Sequence, residues 1–142
     1  MLYTAGSAAE TERLGYGLAK QLDEKKIKKA YIAMKGEMGV GKTVFVRGFA
    51  SYFGIVGVKS PTYTVVNEYR GENTRIFHFD LYRIEDGDDL YSIGYDDYIA
   101  AEGYSIVEWS EKAEEEIPAD AITVTIARTE KEEERTIEIT VP

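Results

Sequence analysis

A glycine-rich segment at residues 36–43 constrains this chain more than any other feature of its sequence. It matches the pattern G-x-x-x-x-G-K-S/T in full. Its members are Gly36, Glu37, Met38, Gly39, Val40, Gly41, Lys42 and Thr43. Glycines let the backbone curl so that successive N–H groups point at a polyphosphate, and a following helix directs the positive end of its dipole at the same charge. The segment therefore predicts a P-loop, with Lys42 on the β- and γ-phosphates and the Thr43 hydroxyl on magnesium.

The residues on either side of this segment have the periodicities that a P-loop requires. Residues 29–35 form a short apolar run bounded by lysines, which is typical of a buried parallel strand. Residues 42–53 place Val46, Phe49, Ala50 and Phe53 on one side of a helix, and Gly54 is a natural stop. We therefore expect a strand, the glycine loop and a helix, in that order.

The rest of the chain predicts further helices and strands, within one domain that spans residues 1–142. Ser7 and Glu10 form a capping box for a first helix over residues 8–22. We expect a hairpin of strands 63–69 and 75–80, one or two short helices over 88–101, a strand over 104–109, a helical turn over 110–116, and closing strands over 121–127 and 136–141. The predicted fold class is α/β.

Two carboxylates are candidates for the acidic group that a P-loop needs at the end of a neighbouring strand. Such a group holds magnesium, directly or through water, and orients the attacking water. Glu108 lies at the end of the apolar strand that begins at residue 104, and Asp80 ends the strand that begins at residue 75. We rank Glu108 first, as magnesium ligand and candidate base, and Asp80 second, as a water-mediated contact. The predicted catalytic residues are thus Lys42, Glu108 and Asp80, and the predicted metal ligands are Thr43, Glu108 and Asp80.

Residues near these carboxylates have a structural interpretation and a functional one. His78 is the only histidine and alternates with Asp80 along its strand, so both are expected to face the same side. We favour a hydrogen-bonded structural role for His78 over proton transfer, and packing over nucleotide contact for Trp109. Ser60 and Thr62 flank a proline and suit a loop that senses the γ-phosphate, or a simple strand entry.

Composition excludes several other kinds of site. The chain has no cysteine, which rules out disulfides, zinc–thiolate sites and iron–sulfur clusters. Its formal net charge of -9 disfavours broad, independent binding of nucleic acid, because such binding depends on cationic side chains. No apolar stretch is long enough to cross a bilayer, and the first residues show no secretory signal. We therefore expect a cytoplasmic protein that does not act at a membrane.

The combination of motifs resembles the TsaE (YjeE) family, the bacterial ATPase of tRNA threonylcarbamoyladenosine biosynthesis. The resemblance covers nearly the whole chain, whereas the P-loop by itself marks only a superfamily. It is carried by Ser7 with Glu10 and Thr11, the P-loop, Ser-Pro-Thr-Tyr at 60–63, His-Phe-Asp-Leu-Tyr-Arg at 78–83, and Glu-Trp at 108–109. Glu37, Met38 and Val40 stand where aspartate, leucine and alanine are usual, but these positions offer mainly backbone.

The resemblance implies a three-layer P-loop fold, with a central, mostly parallel sheet and helices on both faces. It also implies magnesium-dependent ATP hydrolysis, weak without partner proteins, within a complex with a TsaD-like threonylcarbamoyl transferase and its TsaB-like partner subunit. Contact with tRNA would then be indirect, through the complex. By position, Lys42, Thr43, Asp80 and Glu108 take nucleotide and magnesium roles, and Thr11 and Arg135 are further nucleotide candidates.

Three other functions remain open on the residues alone. A small-molecule P-loop kinase would need an acceptor pocket and usually an arginine-bearing lid, for which only the acidic region 85–97 is available. A GTPase is disfavoured because neither N-K-x-D nor D-x-x-G occurs. In a nucleotide-gated binding module, ATP would order an interface and hydrolysis would be incidental; the sequence does not separate this module from a turnover ATPase.

Overall fold

Seven strands join in one sheet in the computed structural model, which describes residues 1–37 and 39–142. The strands lie side by side in the order β1-β7-β6-β2-β5-β4-β3. Along the chain the elements are β1 (Leu2–Ala5), α1 (Ala8–Glu24), β2 (Ala30–Lys35), α2 (Lys42–Tyr52), β3 (Val66–Arg70), β4 (Arg75–Asp80), α3 (Gly87–Ser92), α4 (Tyr95–Ala100), β5 (Tyr104–Glu108), a 3-10 segment (Ser110–Glu116), β6 (Ile122–Arg128) and β7 (Arg135–Thr140).

The centre of the sheet is parallel and its edges are antiparallel. Strands β6, β2, β5 and β4 run in the same direction. On one side β3 pairs antiparallel with β4; on the other β7 pairs antiparallel with β6, and β1 pairs antiparallel with β7. In register, Glu108 at the end of β5 lies between Met34 of β2 and Asp80 of β4. The carboxyl ends of these three neighbouring strands therefore lie together, along the side of the sheet where the parallel strands end. Open α/β sheets bind ligands at this position.

Alternation along the strands divides the apolar residues between the two faces of the sheet. On one face, Ile32 and Ile106 pack with Phe45 and Phe49 of α2 and with Leu18 of α1. On the other face, Phe77, Phe79 and Val107 pack with Leu90 of α3 and Tyr95 of α4. The predicted α/β fold with three layers and helices on both faces is thereby confirmed.

The two helices of the first layer cross in direct backbone contact. A Cβ atom added to Gly48 of α2 would lie 1.9 Å from the carbonyl oxygen of Glu12, and one added to Gly15 of α1 would lie 2.1 Å from that of Phe45. Only glycine fits at both positions, because any larger residue would push the helices apart. This contact fixes α1 against the helix that begins at the end of the P-loop.

Two details of the predicted secondary structure are wrong. The strand expected from residue 63 begins only at Val66, because the Val65 N–H bonds to Pro61 O at 2.8 Å and Val65 has a φ of 69°. Residues 61–65 thus form a turn. The edge strand β1 is absent from the sequence-based prediction. It has only four residues and pairs with β7, and its local pattern does not reveal that pairing. Outside position 38, no helix is both long and apolar enough to cross a membrane.

Candidate functional site

The loop between β2 and α2 has the backbone shape that its glycines predict. Gly36 has a φ of 147°, and a Cβ there would lie 2.5 Å from the carbonyl oxygen of Ile126 on β6. Gly41, the residue before α2, is left-handed with a φ of 110°. Positive φ values are costly for residues with a side chain. The loop therefore turns tightly against the sheet and directs the first turn of α2 towards the strand ends.

A cavity of about 350 Å³ lies between this loop and the ends of β4 and β5. The structure brings four predicted site residues together in its wall, from three different elements: Lys42 and Thr43 from α2, Asp80 from β4 and Glu108 from β5. The remaining lining residues are Gly39, Gly41, Val44, Ser60, Thr62 and Trp109. The cavity thus combines one cation, two carboxylates and several hydroxyl groups.

Lys42 is buried at 5% exposure and has electron-rich partners. Its Nζ donates a hydrogen bond to Gly36 O at 2.7 Å and lies 4.5 Å from the centre of the Trp109 ring. Burial lowers the pKa of Lys42, while the carboxylates of Glu108 and Asp80 act in the opposite direction. The side chain is therefore held at the wall of the cavity, where a phosphate oxygen would offer it a stronger partner.

Glu108 is held by the histidine of the adjacent strand. His78 is fully buried, and its Nε2 shares a short hydrogen bond with Glu108 Oε2. Its Nδ1 has no hydrogen-bond partner among the described residues. The hydrogen bond expected of His78 is thus present, and its partner is the carboxylate that we ranked first.

Asp80 is tied to the loop that precedes β3. Its Oδ1 accepts from the Tyr82 backbone N–H at 3.0 Å, and its Oδ2 accepts a long hydrogen bond of 3.4 Å from the Thr62 hydroxyl. Thr62 in turn shares a hydrogen bond of 2.6 Å with Ser60. The two hydroxyls that suit a phosphate-sensing loop therefore lie in the cavity wall, with Thr62 in contact with a candidate metal ligand and Ser60 bonded to Thr62.

Trp109, for which the sequence favours packing, also lies in the wall of this cavity. The residue is left-handed, with a φ of 57° and a ψ of 41°. In an extended strand Glu108 and Trp109 would point to opposite faces, but this turn lets both line the cavity. The ring also packs on Tyr82, with centroids 5.0 Å apart. No local sequence signal predicts this, because tryptophan rarely adopts the left-handed conformation.

A second cavity, of about 590 Å³, adjoins the first. The two share Gly39, Gly41 and Val44, so they meet at the P-loop. The larger cavity contains both weaker nucleotide candidates, Thr11 and Arg135. It is completed by Ser7, Ala8, Ala9, Val40, Glu132 and Glu133.

Both of these candidates also have structural contacts. The hydroxyl of buried Thr11 donates to Ser7 O at 3.4 Å. Arg135 donates from Nε to Val40 O at 3.0 Å and from Nη1 to Glu132 O at 2.8 Å, which connects the turn before β7 to the P-loop. Their positions beside the cavity are therefore fixed by the fold.

The other predicted P-loop contacts differ in exposure. Glu37 is exposed, and the side chain of Val40 belongs to the hydrophobic core, so Val40 offers a ligand only its backbone. Met38 lies outside the described residues. The prediction that these positions contribute mainly main-chain groups is compatible with this placement.

The donor atoms around the smaller cavity fit magnesium. Thr43, Asp80 and Glu108 offer hydroxyl and carboxylate oxygens, and magnesium prefers oxygen ligands. In the part of the chain that is described, no group of three or more His, Cys, Asp or Glu residues is arranged to hold a metal ion. Magnesium commonly uses one or two carboxylates and completes its coordination with water and substrate phosphates. The site is therefore suited to a metal that enters with a nucleotide.

Comparison with known proteins gives one consistent family. The family model for the threonylcarbamoyl adenosine biosynthesis protein TsaE matches residues 5–137. Proteins named tRNA threonylcarbamoyladenosine biosynthesis protein TsaE are 37% identical over 98 residues in Bacillus subtilis and 42% identical over 96 residues in Haemophilus influenzae. These alignments cover 68% and 67% of this chain, and they span 61% of the length of each relative.

The Treponema pallidum protein of the same name is 31% identical over 121 residues, which cover 84% of this chain and 86% of the relative. Among solved structures, Bacillus subtilis YdiB superposes with a TM-score of 0.79 at 26% identity, covering 99% of this chain and 84% of YdiB. The family model thus covers nearly the whole chain, and the solved structure agrees with the α/β fold. The chain belongs to the TsaE family of threonylcarbamoyl adenosine biosynthesis proteins.

Proposed function

We propose that this chain binds and hydrolyses ATP with magnesium, in support of the threonylcarbamoyladenosine modification of tRNA. The observation that carries the proposal is the cavity at the sheet edge, where the P-loop lysine and threonine meet two buried carboxylates from neighbouring strands. A glycine-rich turn alone would not require those carboxylates. Their presence beside Lys42 supports phosphoryl chemistry over a purely structural loop.

Each residue in this cavity has a role in that chemistry. Lys42 would exchange Gly36 O for the β- and γ-phosphate oxygens and stabilise the charge that spreads over them during transfer. Thr43, Asp80 and Glu108 would hold magnesium, which neutralises phosphate charge when bound. Glu108 would also orient the attacking water, because its carboxylate lines the cavity. Burial strengthens all of these interactions relative to bulk water.

The larger cavity would receive the nucleoside. Its volume of about 590 Å³ lies in the range of small-molecule sites, and it joins the phosphate cavity at Gly39 and Gly41. Thr11 and Arg135 would border the base or the ribose there. The adenine assignment rests on the family resemblance and on the missing guanine motif.

Partner proteins complete the proposal. The related proteins are named for threonylcarbamoyladenosine biosynthesis, while a net charge of -9 disfavours unaided binding of tRNA. We therefore propose a cytoplasmic complex with a TsaD-like transferase and a TsaB-like subunit, within which hydrolysis becomes efficient.

A nucleotide-gated binding module is the second candidate, and one contact favours it. Thr62 joins Asp80 to the loop at 60–63, and Tyr63 at the end of that loop is 83% exposed. A nucleotide that changes the contacts of Asp80 would thus shift an exposed aromatic residue. In that case binding of the partner, and not hydrolysis, would be the output.

The test is release of phosphate by the Glu108→Gln variant, with the partner proteins present. This change preserves shape and removes charge, so hydrolysis should fall by about thirty- to a thousandfold, equivalent to about 2–4 kcal/mol at the barrier. Calorimetric binding of ATP should change much less. Glu115→Gln, at an exposed acidic position, is the matched control and should keep the wild-type rate.

The Asp80→Asn variant ranks the two carboxylates. If it abolishes hydrolysis while Glu108→Gln keeps the wild-type rate, Asp80 is the principal acidic residue. Should both variants hydrolyse ATP as fast as the wild type, the site does not catalyse this reaction, and the gated module is favoured.

A further inference from the structure

We propose that His78 is a positioning residue for Glu108: its imidazole donates from Nε2 to one carboxylate oxygen and leaves the other directed at the phosphate cavity. The inference deepens the proposed function and rests on it, because it concerns how the same carboxylate is held. His78 itself is absent from the wall of that cavity and is fully buried. It therefore acts through Glu108.

The environment of the ring selects one tautomer. Nε2 faces the carboxylate of Glu108, so the hydrogen atom belongs on Nε2. Nδ1 is buried without a hydrogen-bond partner in the described part of the chain. The hydrogen bond that the ring makes in that part of the chain is thus the donation from Nε2 to Glu108.

The backbone of Glu108 is already fixed, so what remains to be ordered is its side chain. The residue is paired in register with Met34 on one side and with Asp80 on the other, and its carbonyl oxygen accepts from the Leu81 N–H at 3.1 Å. A glutamate side chain has several rotatable bonds and loses considerable entropy when it is ordered. A donor at Nε2 holds Oε2 and removes most of that freedom before a nucleotide binds, which is how supporting hydrogen bonds preorganise a site.

His78 and Asp80 occupy the same side of β4, two residues apart. Glu108 lies on the neighbouring strand, opposite Asp80 in register. The histidine is therefore one step deeper in the sheet than both carboxylates. From there it can hold Glu108 without occupying any space that a phosphate or a metal would need.

Two substitutions distinguish the effect of the hydrogen-bond donor of His78 from the effect of the volume that its ring fills. His78→Leu fills the buried space but offers no donor, whereas His78→Gln places an amide N–H near the position of Nε2. With ATP and the partner proteins, His78→Leu should lower kcat by about ten- to a hundredfold with little change in KM, the usual range for the loss of a supporting contact. His78→Gln should recover most of that loss. A purely space-filling role would favour leucine at least as much as glutamine.

A second measurement needs no turnover. Because His78 is the only histidine, the nitrogen-15 signals of the imidazole identify it without assignment. We expect the signal of a protonated Nε2, and a change in that signal in Glu108→Gln. A ring without a proton on Nε2 overturns the proposal, as does a wild-type kcat in folded His78→Leu.

The outcomes also separate this inference from the proposed function. If Glu108→Gln abolishes hydrolysis while His78→Leu remains fully active, Glu108 is catalytic but needs no help from His78. If His78→Gln is as slow as His78→Leu and both are folded, the donor has no role and the inference fails. If the wild type does not hydrolyse ATP at all, the proposed function fails first, and the tautomer measurement alone decides whether His78 holds Glu108.

Discussion

Replacing Gly48 by alanine tests whether the close crossing of α1 and α2 is as tight as described. The new Cβ would lie 1.9 Å from Glu12 O, 2.6 Å from Glu12 C and 2.8 Å from Glu12 Cα. Ordinary contacts between carbon and oxygen are about 3.3 Å or longer, so the helices must separate by more than about 1 Å. The obstacle is backbone, which has no rotamer to escape into.

The magnitude follows from two opposing effects. Overpacking of this kind costs about 3 kcal/mol or more, while alanine gains about 1 kcal/mol over glycine in helix propensity. The net loss is about 2 kcal/mol in the free energy of unfolding, which lowers Tm by about 4–8 °C in a chain of this size. Urea unfolding followed by circular dichroism measures it directly.

Gly17→Ala is the matched control, since it lies in α1 and its added Cβ would meet no described atom within 4 Å. It should raise stability by up to about 1 kcal/mol through helix propensity alone. If Gly48→Ala is as stable as the wild type or gains stability like the control, the backbones of α1 and α2 are not in direct contact at Gly48.

Three further predictions concern the site and the core. Lys42→Ala should bind magnesium-ATP very weakly or not at all in calorimetric titrations, because Lys42 is the only cationic side chain among the described residues of the cavity wall. Wild-type affinity would show that Lys42 does not contact the phosphates. GTP should compete poorly with ATP in the same titration, and equal competition would show that the base preference is misread. Burial raises the pKa of Tyr31, whose hydroxyl pairs with that of Tyr95 at 2.7 Å, so the folded chain keeps a proton that the unfolded chain releases above about pH 10. The free energy of unfolding, measured by urea titration, should therefore fall as pH rises above 10. Tyr31→Phe should make that fall shallower by about 1.4 kcal/mol per pH unit. An unchanged dependence on pH would show that the pKa of Tyr31 is not raised in the folded chain.

The order of elements around the P-loop was predictable because each element has a local signal. The apolar run before Gly36, the helical spacing after Lys42 and the carboxylates at the strand ends are properties of short segments. The rule that parallel strands end at one sheet edge then placed Asp80 and Glu108 near the loop. The structure has this order of elements, and both carboxylates line the cavity beside the loop.

Contacts between distant segments were not predictable in the same way. The partner of His78 depends on how β4 and β5 pair, and the pairing of β1 depends on a strand more than a hundred residues away. The position of Trp109 depends on a left-handed backbone that its residue type disfavours. In each case tertiary packing overrides a local preference, as expected where a site is assembled from several strands.

The contacts of Lys42 have a consequence for how affinity arises at this site. Its amine is already engaged by Gly36 O and by the Trp109 ring, so a phosphate gains only the difference between its own attraction for the amine and theirs. Under the proposed function, binding of a phosphate would therefore be an exchange of partners for Lys42. Under the proposed function, the same exchange would free the carbonyl group of Gly36 at the end of β2 and the face of Trp109 after β5. Lys42 would then couple the arrival of a phosphate to a change in two contacts within the protein.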